Sequence, residues 1–171
     1  VVAHTIPSVE SELVSLTPGK HTIIPISTPQ GVLEVKMQSK EDYQFIIRKS
    51  GESATLHVQE TNTKQKYLTG KYDIEVLTIP RLTIKDIEIK QSKETTVNIP
   101  STGTTNILLP SKGYGGIYRF KDNLWEQVYP IDDNMQRIKL YLLPGNYKIV
   151  FRSKSAKQYK YTKEKEFKMQ S

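Results

Sequence analysis

Leu143-Pro144-Gly145-Asn146-Tyr147-Lys148-Ile149-Val150-Phe151 reads as a tight turn feeding a β-strand. A glycine there can take φ > 0, and the Tyr-x-Ile-x-Phe alternation then sends every second side chain to one face. The same grammar stands 75 residues earlier in Leu68-Thr69-Gly70-Lys71-Tyr72-Asp73-Ile74-Glu75-Val76. A second echo supports a duplication. Thr5-Ile6-Pro7-Ser8-Val9 matches Thr78-Ile79-Pro80-Arg81-Leu82 at an offset of 73, and the match runs on. Val14-x-Leu16 pairs with Ile87-x-Ile89, Lys20 with Lys93, and Thr22-x-Ile24-x-Ile26 with Thr95-x-Val97-x-Ile99. Similarity at a fixed period marks a tandem architecture.

The strands of one unit follow from these anchors. The first unit is read as Thr22 to Ile26, Val32 to Met37, Tyr43 to Arg48, Ala54 to Gln59, the Tyr72 strand and Ile87 to Lys90, with Lys49-Ser50-Gly51-Glu52 as a hairpin turn. The second is read as Thr95 to Ile99, Asn106 to Leu109, Gly116 to Phe120, Leu124 to Tyr129, Arg137 to Leu142, the Tyr147 strand and Glu166 to Met169. Asn134 to Leu143 is the best helical candidate, but Ile138-x-Leu140-x-Leu142 has period two and reads as a strand. The expected fold is all-β, as two tandem small antiparallel β-sandwich domains. Residues 1–19 form a lead-in, 20–92 the first repeat and 93–171 the second, with a polar joint at Gln91-Ser92-Lys93-Glu94 too short for a flexible tether. Units of that size lie near the lower limit for a self-sufficient core.

Composition agrees with strands and narrows function. Alanine occurs only at Ala3, Ala54 and Ala156, while Tyr, Ile, Thr and Val are frequent. Without cysteine there is neither a disulfide framework nor a thiolate zinc site. No run approaches the ~20 apolar residues of a membrane span. The start, Val1-Val2-Ala3-His4-Thr5, lacks an initiator methionine and a signal-peptide pattern, so the chain is expected to be a segment of something longer. Residues 1–95 carry 12 Lys+Arg against 12 Asp+Glu, and residues 96–171 carry 13 against 6, so the whole net charge of +7 is C-terminal.

His4, His21 and His57 are isolated, and His21, just after a turn glycine, reads as a packed side chain. Asp132-Asp133-Asn134 has oxygen ligands of the kind calcium prefers but not the alternating spacing of a dedicated loop, and it reads as a turn. No nucleophile elbow, zincin, P-loop or dinucleotide motif is present, so no catalytic residue, metal ligand or cofactor is assigned. Tyr114, Tyr118, Trp125 and Tyr129 invite a sugar-stacking platform, but their alternation reads better as core packing. The run Gly113-Tyr114-Gly115-Gly116 is a bulge or a binding loop. Lys157, Lys160, Lys163, Lys165 and Lys168 form a basic segment that reads first as a charged edge strand guarded against edge pairing, and second as a surface that would draw an anionic partner. By strand parity Lys157, Lys163 and Lys165 share a face with Phe167 and Met169, and Lys160 and Lys168 take the other, which divides the charge. The candidate partner surface is therefore Tyr114, Gly115, Gly116, Trp125, Lys157, Lys160 and Lys163.

The order Leu-x-Pro-Gly-x-Tyr-x-Ile followed by a closing apolar-x-apolar strand resembles the small prealbumin-like sandwiches, such as carboxypeptidase-regulatory-like repeats. More closely, Pro18-Gly19-Lys20-His21-Thr22, Pro29-Gln30-Gly31, Gly70-Lys71-Tyr72, Gln91-Ser92-Lys93 and Gly113-Tyr114-Gly115 are similar to the region behind the von Willebrand factor A domain in envelope proteins of the Bacteroidetes type. That resemblance implies a periplasmic or cell-surface accessory module serving an attached or partner protein domain; the missing catalytic motifs make it non-enzymatic, and the basic segment and aromatic rings leave an anionic surface or a carbohydrate-binding module as the alternative. The Asp-x-Ser-x-Ser adhesion motif of an A domain is absent, so its metal does not carry over. No groove-reading helix or aromatic–basic RNA motif is present, and no specific nucleic-acid binding is expected.

Overall fold

The computed structural model describes residues 1–39, 41–156, 158 and 161–170, and among them there is no α-helix. The chain is all-β. Its strands are β1 (Val2–Ala3), β2 (Val9–Glu10), β3 (Gln30–Met37), β4 (Gln44–Lys49), β5 (His57–Glu60), β6 (Lys64–Leu68), β7 (Gly70–Val76), β8 (Leu82–Ile89), β9 (Glu94–Ile99), β10 (Gly103–Leu108), β11 (Gly113–Lys121), β12 (Leu124–Ile131), β13 (Arg137–Leu142), β14 (Gly145–Ser153) and β15 (Lys163–Met169). They fall into two compact units, the first comprising Val1–Met37, Asp42–Val76 and Thr83–Ile99, the second Gln38–Glu41, Leu77–Leu82 and Pro100–Ser171.

In the first unit a three-stranded sheet β6-β3-β9 and a four-stranded sheet β5-β4-β7-β8 supply the buried side chains. These include Leu33, Val35 and Tyr67 from one, and Phe45, Ile47, Tyr72, Ile74 and Val76 from the other. In the second, β10-β13 and β12-β11-β14-β15 share a core of Leu109, Ile117, Ile131, Ile138, Leu140, Leu142, Tyr147, Phe151 and Met169. The alternation read in the Tyr strands is realised: Tyr72, Ile74 and Val76 are buried, as are Tyr147 and Phe151, while Ile149 is half-buried.

The repeat is also a repeat of hydrogen bonds. The Tyr72 hydroxyl donates to the Leu68 carbonyl at 2.8 Å, and the Tyr147 hydroxyl to the Leu143 carbonyl at 2.6 Å. Gly70 and Gly145 take φ of 155° and 158°, where an L side chain is strained. The Leu68 amide donates to the Ile6 carbonyl and the Leu143 amide to the Ile79 carbonyl, so each Thr-Ile-Pro is a strap across the turn of its own unit. Thr5 and Thr78 each close their strap by donating to the carbonyl of the following proline, Pro7 or Pro80, at 2.7 Å. Ile6-Pro7 and Ile79-Pro80 are both cis.

Several boundaries differ from the sequence reading. Thr22 to Ile26 is not a strand, and residues 20–29 have no ladder partner. The Ala54 to Gln59 strand starts only at His57, and β6 was not anticipated as a strand. Gln91-Ser92-Lys93 is a turn inside the first unit: Ser92 takes φ of 56°, and its amide donates to the Gln30 carbonyl. Beyond that turn β9, read as the head of the second repeat, lies parallel to β3 with Val32 opposite Glu94 and Met37 opposite Ile99.

The buried phenols give the fold a pH limit. Burial pushes the Tyr147 hydroxyl up to about 12 and raises Tyr67 and Tyr72 from the ordinary 10, because burial disfavours the phenolate. The folded state thus holds these protons more tightly than the unfolded chain. Their stabilising contribution is complete below about pH 10 and is lost as pH rises toward about 12. An ultraviolet phenolate titration should show a late step, from Tyr67, Tyr72 and Tyr147, that coincides with unfolding. All ten tyrosines titrating together near pH 10 with the fold intact would contradict this.

Candidate functional site

The register of the four-stranded sheet in the second unit decides which aromatic rings meet. Tyr147, Phe151 and Ile117 point inward, so Tyr114, Gly116, Tyr118 and Phe120 of β11 and Lys148, Val150 and Arg152 of β14 take the outer face. On β12, Trp125 lies opposite Phe120 with ring centroids 5.1 Å apart. A register shift at Ile117/Tyr118 then turns Tyr129 opposite Ile117. Lys148 Nζ sits 4.7 Å above the Trp125 ring and also pairs with Glu164 at 3.3 Å. The Arg152 guanidinium covers the Tyr114 ring at 5.9 Å, and Tyr114 is 48% exposed. Tyr114 and the Phe120–Trp125 pair stand six residues apart along β11, about 20 Å at strand rise. The structure therefore brings Trp125 and Tyr114 to one face but not to one platform, and each ring already faces a cation of its own sheet.

The glycine run is neither a bulge nor a loop. Gly113, Gly115 and Gly116 lie within β11, the strand between β12 and β14. A Cβ on Gly115 would stand 1.9 Å from the Val150 carbonyl oxygen, and one on Gly113 would stand 2.6 Å from the Phe151 ring. The glycines are there because β14 and the Phe151 ring come that close. The Gln127 side chain lies over Gly116.

Of the basic segment, Lys157 and Lys160 lie outside the described residues. Lys163 and Lys165 are exposed and stand opposite Phe151 and Ile149, the inward parity expected of them. They edge a groove of about 560 Å³ that sequence reading did not find. Ile107 and Leu109 line one wall and Ile149, Phe151 and Phe167 the other. Its only sequence signal was the pair Ile107-x-Leu109 in a strand where both neighbours had still to be assigned.

The remaining candidates resolve into structural roles. The Asn134 amide donates to Asp132 Oδ1 at 3.0 Å, and the Lys154 ammonium beside Asp133 holds that carboxyl below its ordinary range, so Asp132-Asp133-Asn134 is a turn tied to the residue that follows β14. His21 is exposed in the unpaired stretch, which corrects the packed reading: it lacks the strand and neighbouring sheet that bury the corresponding tyrosines. His57 meets the Tyr67 ring edge-on at 6.2 Å. Among the described residues no three His, Cys, Asp or Glu side chains converge on a metal position. Unforeseen was the Asp73 node, where Oδ1 accepts from the Asp86 amide at 2.9 Å and Oδ2 from Gly51 at 3.2 Å. These donors keep its carboxyl below the usual range and hold Asp86 at φ 58°.

No protein-family model, curated protein or solved structure matches this chain.

Proposed function

We propose that the chain is a non-catalytic β-sandwich module of a larger protein, acting as a spacer or protein-interaction surface. The observation behind this reading is the repeated clasp, in which Leu68 with Ile6 and Leu143 with Ile79 make the same bond beside the same buried tyrosine. The chain duplicates a scaffold, and its polar groups of unusual chemistry are spent on turns and clasps. Placement at the cell surface or periplasm of a bacterium, beside a von Willebrand factor A domain, follows from the resemblance of the strand-and-turn motifs. A carbohydrate-binding module is the second reading, favoured by the exposed Tyr114 ring.

A glycan array probed with the chain and its Trp125→Ala variant separates the two. The module reading expects no reproducible glycan signal, and a signal abolished by that substitution would replace it with the second. On heparin, the divided basic charge should give weak retention that salt removes near physiological strength. Retention persisting well above that would reveal an organised anion site.

A further inference from the structure

Apart from the β1-β2 pair, the sheets of the two units differ by one strand among the described residues. Aligned through their clasps, β3 corresponds to β10: Gly31 stands opposite Tyr67 and Gly103 opposite Leu142, one residue before Leu68 and Leu143. A Cβ on Gly31 would strike Ile89 and the Lys90 carbonyl, and one on Gly103 would strike Met169 and the Gln170 carbonyl, so the closing strand passes both glycines alike. In the first unit β3 has β6 on one side and β9 on the other. In the second, β10 has β13 on one side and, among the described residues, no strand on the other. That edge opens onto the groove lined by Ile107, Leu109, Ile149, Phe151 and Phe167. The corresponding space in the first unit belongs to β9, whose Val97 and Ile99 stand beside Val35 and Met37.

The chain also carries a β9-like segment without a sheet. Lys20-His21-Thr22-Ile23-Ile24-Pro25-Ile26 repeats Lys93 to Ile99 at the 73-residue period, with Ile24 and Ile26 in the places of Val97 and Ile99. Ile23 is 91% exposed. Pro25 fits an added strand as well. The Val32 amide donates to the Lys93 carbonyl, so in the parallel ladder the odd-numbered residues of β9 bond to β3 and the Asn98 amide faces away. Pro25 occupies the Asn98 slot, where a missing N–H costs nothing and discourages a further strand.

We propose that Lys20–Ile26 of one copy adds to the open edge of β10 in a second copy, parallel and in the β3–β9 register, with Ile24 and Ile26 entering the groove beside Ile107 and Leu109. The contact is head-to-tail, joining the segment of one copy to the β10 edge of the next. It deepens the reading of the chain as an interaction module and names a second copy as the partner.

The register supplies the test, made easier by the absence of native cysteine. It places Pro25 opposite Leu108, which is 74% exposed, as Asn98 stands opposite Lys36. A mixture of full-length Pro25→Cys and Leu108→Cys chains should form a disulfide joining one of each under mild oxidation. The Pro25→Cys/Leu108→Cys double variant should give intermolecularly cross-linked dimers or higher oligomers. Asn106→Pro removes an amide that faces the open edge while sparing the bonds to β13, and adding it should abolish both products. A synthetic peptide spanning Lys20–Thr28 should compete. A wild-type chain that sediments as a monomer at all concentrations, with no mixed disulfide, overturns the proposal. So does a double variant that closes only on itself, which would assign the groove to the chain's own segment. Neither outcome bears on the glycan array, so failure here is distinct from failure of the module reading.

Discussion

Replacing Tyr147 with alanine is expected to cost about 3–5 kcal/mol, the range for truncating a large buried aromatic. The ring is fully buried, stacks on Phe167 at 5.6 Å and bonds to the Leu143 carbonyl. Tyr147→Phe keeps the packing and leaves that carbonyl without its donor, so about 1–3 kcal/mol is expected from the hydroxyl alone. Tyr72 makes the equivalent bond and is 2% exposed, so Tyr72→Ala should fall in the same range. Chemical denaturation of the three variants measures this. A loss under about 1 kcal/mol for either alanine variant would mean that the clasp tyrosines are not anchors.

The second large effect is expected at Gly115. Its Cβ would meet only backbone, with the Val150 carbonyl oxygen at 1.9 Å and the Phe151 Cα at 3.0 Å, so no side-chain rotation relieves the clash. Gly115→Ala must move β14 away from β11. The expected loss is at or above the upper end of ordinary overpacking, about 3 kcal/mol, with amide exchange accelerating along the β11–β14 ladder first. Gly19→Ala is the useful contrast, since nothing lies within 4 Å of its Cβ and only φ of 75° is at stake. About 1–2 kcal/mol is expected there. A Gly115→Ala chain as stable as wild type would show that the two strands part without cost.

Most of the fold was legible because the two Tyr strands carry their own evidence: a glycine at the turn, an aromatic two residues on and a period of two. What sequence could not supply was phase. A repeat of period 73 fixes the length of a unit, yet the strand at Thr95 to Ile99 satisfies that period equally well as the first strand of one unit or the last of the preceding one. Only the parallel pairing of β9 with β3 decides it. The same ambiguity explains Thr22 to Ile26, which has a strand's pattern without a sheet to complete, since strand propensity is mostly a propensity to fit a neighbour. β6 was hidden for the opposite reason, because Lys64-Gln65-Lys66-Tyr67-Leu68 is largely polar and buries only Tyr67 among its residues. Its hydroxyl is satisfied by Gln59 at 2.8 Å, a buried pair invisible without the fold. At the candidate surface, residue type identified Trp125 and Tyr114 but not their separation along β11, and the groove needed both of its walls.

The parallel pairing of β3 with β9 also determines how the first unit bears tension. Gln30 begins β3 beside the turn that precedes β9, and Ile99 ends β9 beside Met37, so a pull on the chain at these two points acts at opposite ends of six paired residues. Once the Thr5-Ile6-Pro7 strap has yielded, the two strands must slide rather than unzip, and the ladder bonds, each worth about 1 kcal/mol net, are loaded together instead of in turn. A unit built this way resists extension along its own backbone. In the second unit the matching load reaches β10, whose edge gains the same shear lock only when a strand lies in its groove.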